Sequence, residues 1–314
     1  MPSREQSLDR NLLLLERHEA ASVRRVAASY RRARAEIVTA LVERWPGSIT
    51  TPEQAEATLR QLGLLQQIDA RLLQLEQELG IVLRDIVSSS SEMAVEQIRR
   101  EISSLPPHLR GDATTLAFAQ IDTRMIERFV PAALADVRLG TRATSLQLQR
   151  ELQIGLIQGQ SFDNLVRRLM ASTPTGEGPA VWRNGELSAE LHVRRTVITA
   201  NNGAHQEAIR EAEREIPEVK KQVFAALGKN TTDCCLRAHG QIQPVSQPYI
   251  LVGTPRFADA IMFPAFHWRC RSTSAMYHPI FEQSLSTESL RQVARTELNR
   301  RENERSERRI RRAA

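Results

Sequence analysis

From Leu8 onward apolar side chains return every three or four residues, at Leu12, Leu15, Val23, Val26, Tyr30, Ile37 and Leu41, with charged residues between them. That spacing predicts one long amphipathic helix, which Pro46-Gly47 ends. Thr51-Pro52-Glu53-Gln54 then reads as an N-cap, a proline at the first helical position and a glutamine able to close a capping box. A second long helix follows, with a stripe of Leu62, Leu65, Ile68, Leu72, Leu75, Leu79, Leu83 and Ile86. Its near three-four repeat suits a partner helix, and Gly63 and Gly80 weaken it. The serine run Ser88 to Ser91 reads as a break or a new cap before a helix through Ile102, which Leu105-Pro106-Pro107 stops. Further helical segments are predicted over 112–130, 132–158 and 161–170, with Pro131 as a kink or joint between the first two. Thr173 to Pro179 is a loop, and Leu187 to Glu215 is helical up to Pro217.

At Val219 the pattern changes. Val219 to Leu227 is short and β-compatible, the stretch from Asp233 to Phe266 is rich in Pro, Gly and Gln, and Arg271 to Tyr277 fits a return strand. From Ser286 the chain turns helical again and strongly basic. The fold class expected is therefore mainly α: long N-terminal helices, a small irregular α+β C-terminal module, and a basic helical tail. The basic tail occupies 286–314. Composition agrees, because 314 residues is a length for about two ordinary domains, and only 4% aromatic residues argue against a β-sandwich or an aromatic-lined base pocket. No internal repeat of 20 to 50 residues is present.

Charge sharpens the picture of the tail. There are 43 basic and 37 acidic residues, a net charge of +6, and lysine occurs only at Lys220, Lys221 and Lys229. Arginine is the better side chain for bidentate phosphate contacts, although a genome rich in G and C also favours its codons. Arg300, Arg301, Arg305, Arg308, Arg309, Arg311 and Arg312 in the tail form one candidate surface for salt-sensitive, sequence-independent contact with DNA. Arg24, Arg25, Arg31, Arg32 and Arg34 form another. The plainer reading of both is a solvated helix face, balanced in the tail by Glu297, Glu302, Glu304 and Glu307. Three cysteines are too few for a disulfide scaffold, and nothing resembles a signal peptide. No stretch approaches the roughly 18 consecutive apolar residues of a membrane span, so no membrane partner is expected and the cytoplasm is the default compartment.

Familiar catalytic motifs fail. Gly228-Lys229 is a fragment of a phosphate loop, but Val223 stands where its first glycine belongs and Asn230 where Ser or Thr is required. Gly176-Glu177-Gly178 lacks a third glycine and a preceding strand. The informative constellation is Asp233-Cys234-Cys235-Leu236-Arg237-Ala238-His239-Gly240, followed after a long loop by Phe263-Pro264-Ala265-Phe266-His267-Trp268-Arg269-Cys270-Arg271. Cys235 and His239 are four apart, and His267 and Cys270 three apart. Together they supply two cysteines and two histidines, a sufficient set for a structural Zn2+, which would also help an irregular segment hold its shape. Three other readings stay open: a Cys235–Cys270 contact, bonded or not; packed thiols with His239 in a turn hydrogen bond; and a thiol nucleophile with His239 or His267 as base.

These residues resemble the head-morphogenesis domain of tailed bacteriophages, the Mu gpF-like minor capsid proteins. In that family a cysteine turn ends in His-Gly, a Pro-rich loop follows, and a Pro-x-x-His-x-x-Cys-Arg motif closes the unit. Cys235, His239 and Gly240 match the turn, and Pro264, His267, Cys270 and Arg271 match the closing motif. The family's first cysteine falls on Thr232 and its last on Ser272, as expected if those two are partners, while Cys234 is an addition. Gly159-Gln160-Ser161-Phe162 and Arg195-Thr196 resemble upstream landmarks, with Val197 in place of the usual acidic residue, so the likeness spans about 145 to 279. The resemblance implies a helical N-terminal region over 1–140, the head-morphogenesis domain over 141–285 and the Arg-rich tail over 286–314. What the resemblance implies is a virion component rather than an enzyme, a minor protein of the capsid interior or portal vertex. Its partners would be the portal protein and the major capsid or scaffolding protein, with phage DNA met through the Arg-rich tail. The alternative is a zinc-dependent nucleic-acid-binding module of cellular or prophage origin.

Overall fold

A computed structural model describes residues 4–44, 63–110, 118–158, 160, 164, 166, 181–228 and 230–313. Among them are seven α-helices: α1 (Arg4–Arg44), α2 (Leu64–Ser103), α3 (Pro107–Arg110), α4 (Ala119–Ile157), α5 (Val181–Glu215), α6 (Asp233–Ala238) and α7 (Thr287–Ala313). The strands are β1 (Lys220–Ala225), β2 (Ile242–Gln243), β3 (Tyr249–Ile250), β4 (Ala260–Ile261) and β5 (Ser272–Tyr277). Long N-terminal helices followed by a small strand-containing module and a helical tail are thus what the chain forms. No described helix is long and apolar enough to cross a membrane. The capped start at Thr51 to Gln54, the loop from Thr173 to Pro179 and, apart from residues 164 and 166, the helical segment over 161–170 lie outside the described residues.

The two compact units are not consecutive stretches of the chain. One comprises Met1–Glu19, Ile86–Phe129 and Arg195–Ala314; the other comprises Ala20–Asp85 and Val130–Arg194. The reason is helix length: α1, α2, α4 and α5 span 35 to 41 residues each, so each supplies side chains to both.

In the second unit the apolar stripes are buried as their spacing requires. Val26, Tyr30, Ile37 and Leu41 of α1 are covered, as are Ile68, Leu72, Leu75, Leu79 and Leu83 of α2. Arg25–Asp85 at 2.8 Å, Arg71–Glu36 at 3.5 Å and Arg32–Glu78 at 3.6 Å tie α1 to α2 along their exposed edges. Two of the five N-terminal arginines considered for DNA are therefore engaged with carboxylates. Tyr30 meets Trp182 edge to face at 5.7 Å. Gly185 lets α5 lie close against α4, since a Cβ there would lie 2.6 Å from Thr144 Oγ1.

Two sequence breaks do not break helices. The serine run leaves α2 continuous, because Ser90 and Ser91 donate their hydroxyls to the carbonyls of Ile86 and Val87 at 2.6 and 2.8 Å instead of capping a new helix. Small side chains there admit α5, whose Asn201 donates to Ser90 O at 2.9 Å. Pro131 lies inside α4, so the segments expected on its two sides form one helix.

The first unit is built around an antiparallel sheet in the order β2-β1-β5. Both β1 and β5 are buried almost throughout. The outer edge of β5 would leave buried amides unpaired, and two helix side chains close it. Asn202 of α5 accepts from the Ser274 amide at 2.7 Å and donates to Ser272 O at 3.2 Å, while Glu101 of α2 accepts from the Met276 amide at 2.7 Å. Lys221, itself buried, donates to Met262 O at 2.6 Å and so anchors the chain just before the Pro264–Arg271 motif. On the far side α7 packs Ala294 and Leu298 against Leu236 of α6.

Gly240 carries the turn from α6 into β2 at φ +75°, and its amide donates to Val223 O at 2.9 Å. A Cβ there would also sit 3.2 Å from Leu290 Cβ of α7. Gly240→Ala is expected to destabilise the protein by about 1–2 kcal/mol, read as a lowered denaturation midpoint; an unchanged midpoint would contradict this role for the His-Gly turn.

Candidate metal centre

Two short segments at one end of the sheet carry the candidate ligands. The β1–β5 register pairs Ala225 with Ser272. The chain leaving β1 for α6 and the chain entering β5 from Cys270 therefore start from the same sheet end. Thr232 caps α6, its Oγ1 accepting from the Cys235 amide at 3.4 Å. Asp233 in the first turn is held from outside by Arg305 at 2.8 Å and Arg301 at 3.8 Å, both on α7. The Cys270 amide donates to His267 O at 3.1 Å, closing the turn that aims both side chains inward.

Cys235, His267 and Cys270 form a buried group whose ligand atoms lie within 4.8 Å of one another, a group that could hold a metal ion. Cys235 Sγ is 3.1 Å from His267 Nε2 and 3.8 Å from Cys270 Sγ, an unbonded contact between thiols. Two sulfurs and one imidazole nitrogen suit a borderline-soft cation better than Mg2+ or Ca2+. Two further oxygens adjoin the group. Thr232 Oγ1 is 3.0 Å from His267 Nε2, and Ser272 is buried, its amide donating to Cys270 Sγ at 3.4 Å.

His239 is not brought to this group. A pair four apart shares a helix face only if the helix continues through the second residue, and α6 stops at Ala238. His239 is the C-cap, with φ −57° and ψ 129°, and turns toward the sheet. There its Nδ1 accepts from the Ala225 amide at 3.0 Å and its ring meets Phe224 edge to face at 5.9 Å. The two-cysteine, two-histidine set is therefore corrected to two cysteines and one histidine. In the sequence Thr232 and Ser272 look like ordinary polar residues, singled out only by the resemblance that sets a cysteine at each position.

Burial sets the protonation of the group. It pushes the Cys270 thiol well above its ordinary value, and the hydrogen bond with Cys234 raises Cys235. Burial lowers His267, keeping its ring neutral. Without metal the centre is thus uncharged, and metal binding must expel thiol protons, so affinity rises with pH. His267 Nδ1 accepts weakly from the Arg269 amide at 3.3 Å, while Nε2 faces Cys235 and Thr232. Ligation through Nε2 puts the ring proton on Nδ1, at the cost of this one contact.

The tail arginines are largely committed within the protein. Arg300 pairs with Glu297 at 2.8 Å and with Glu304, and Arg305 pairs with Asp233. Arg301 is only 13% exposed and donates to the carbonyls of Thr231 and Gly228. Arg308 and Arg311 are exposed, and the side chains of Arg309 and Arg312 lie outside the described residues. Of the upstream landmarks, Arg195 lies over the rings of Trp268 and Phe257, while Gly159, Ser161 and Phe162 lie outside the described residues. No family model, curated protein or solved structure matches the chain.

Burial lowers His239 to about 4 and the core His205 to about 3, so both rings are neutral when folded. An unfolded chain protonates them below about 6.5. The stability this provides is complete above that pH and is lost as pH falls from it toward 4. A denaturant midpoint declining through this window is expected, with a shallower decline in His239→Asn, which keeps an acceptor for the Ala225 amide; equal slopes would remove His239 from the account.

Proposed function

We propose that this chain is a minor capsid and head-morphogenesis protein of a tailed bacteriophage, working with the portal protein and the major capsid or scaffolding protein at the procapsid interior. Within it, Cys235, His267 and Cys270 hold a structural zinc ion. The observation that carries this reading is convergence: the cysteine turn and the Pro264–Arg271 motif, separated by a long loop, meet at one buried point. The two positions where the family has further cysteines, Thr232 and Ser272, adjoin that same point.

Zinc here would act as a cross-link, supplying folding free energy to a segment with little regular structure. The chain's own residues prepare the site. Thr232 starts the helix that carries Cys235, Arg301 and Arg305 fix that helix through Asp233, and the β1–β5 pairing sets the separation of the two halves. Contact of the tail with DNA rests in this reading on Arg308 and Arg311, whose guanidiniums have no carboxylate partner among the described residues.

Elemental analysis of protein purified under reducing conditions is expected to find about one zinc per chain. Cys235→Ser, His267→Ala and Cys270→Ser are expected to lose the metal and to unfold at lower denaturant, whereas His239→Asn keeps it. A zinc content near zero ends the metal assignment. For the wider role, mass spectrometry of heads purified from the source phage or induced prophage should detect this chain at low abundance beside the major capsid protein. Its absence from such particles would refute the virion assignment.

A further inference from the structure

Cys235 and His267 form part of the wall of a cleft of about 930 Å3. Its remaining wall holds three arginines, Arg256, Arg269 and Arg271, against one acidic residue, Glu16. Arg271 pairs with Glu16 at 2.9 Å and Arg256 with Asp259 at 2.6 Å. Arg269 is exposed and has no carboxylate partner among the described residues. The cleft therefore offers an anion one uncommitted guanidinium and two whose ion pairs are exposed to solvent, where such pairs are weak.

The cleft also holds the exposed aromatic surface of the described residues. Aromatic residues are scarce, and those that are both large and exposed among the described residues are Phe257, at 42%, and Trp268, at 46%. They sit together, edge to face, with centroids 5.7 Å apart. Arg195 stands over both, 4.7 Å from the Trp268 centroid and 5.1 Å from that of Phe257. Neither ring is on a loose loop. The Phe257 amide donates to Phe266 O at 2.8 Å, and Arg256 bonds Gly253 O and Asp259 across the same turn. Trp268 and Arg269 occupy the two positions between His267 and Cys270, so both ends of this dipeptide are fixed by buried side chains while its own side chains face outward.

We propose that this cleft binds a single-stranded segment of nucleic acid, with an unpaired base stacked on Trp268 and neighbouring phosphates on Arg269 and Arg271. A π-face beside guanidiniums recognises stacked base and phosphate together, without sequence preference. A duplex keeps its bases stacked internally and cannot use the ring. An acidic peptide could use the arginines but has no planar group for the indole. The inference is independent of the virion assignment, and it places a nucleic-acid contact in the module besides the one proposed for the tail.

The test uses the full chain and a short labelled oligothymidylate, followed by anisotropy over a salt series and by tryptophan quenching. Saturable binding is expected, tighter than for a duplex of the same length, with quenching of Trp268. Trp268→Ala should weaken binding about tenfold. Arg269→Ala should lower the salt slope by about one. Joint replacement of Arg308 and Arg311 by alanine should leave Trp268 quenching intact. Both cleft residues are exposed, and unchanged zinc content and melting in their variants separate this proposal from failure of the metal centre. Equal binding by wild type and both cleft variants, preference for the duplex, or capture of a glutamate-rich peptide in place of the oligonucleotide would each overturn it.

Discussion

The six-residue antiparallel pairing of β1 with β5 is the constraint from which the C-terminal module follows. Cys235 and Cys270 are 35 residues apart in the chain, yet their sulfurs lie 3.8 Å apart because each segment departs from the same end of that ladder. A one-residue slip would turn every side chain of one strand to the opposite face and separate the two halves. Register is guarded on both sides. β2 pairs with β1, and the outer edge of β5 is closed by Asn202 and Glu101 rather than by another strand. Those two buried side chains make the sheet depend on α2 and α5 being present and correctly rotated, and thereby couple the long helices to the small module.

Arginine does two kinds of work in this protein. On α7 it is mostly structural. Apolar Leu290, Ala294 and Leu298 seat the helix, and the same face continues as Arg301 and Arg305, which reach the carbonyls before α6 and the carboxylate of Asp233. The basic tail is thus the outer brace of the cysteine turn. Around the cleft, by contrast, arginine is exposed and set beside aromatic faces. Net charge concentrated at the chain ends therefore does not locate the surface where charge is available; what matters is which guanidiniums have already found a carboxylate.

Much of the fold is legible in local pattern. The stripe through Val26, Tyr30, Ile37 and Leu41 and that through Ile68 to Leu83 are buried as their spacing implies, and Val219 to Leu227 and Arg271 to Tyr277 contain the paired strands. Misreadings arose where a residue had two local options. Ser90 and Ser91 could cap a new helix or bond back to the preceding turn, and the second option prevails because small side chains were needed beside Asn201. Pro131, a kink or a joint by its place in the sequence, lies inside one helix. In the candidate site, Cys235, His267 and Cys270 were legible as donors bracketing one loop. His239 was not separable from them, since its spacing from Cys235 implies a shared face only while the helix lasts.

By itself, then, the amino-acid sequence determined the mainly helical class, the change of texture at Val219 and the segment that holds the thiols. Each of these is written in side chains a few residues apart, where backbone geometry alone relates position to direction. Tertiary structure decided which donors meet, that Thr232 and Ser272 stand beside them, that the tail arginines are largely engaged, and that two of the few aromatic rings share one cleft. Those outcomes depend on residues tens of positions apart, whose distances are set by strand register and by where α6 ends.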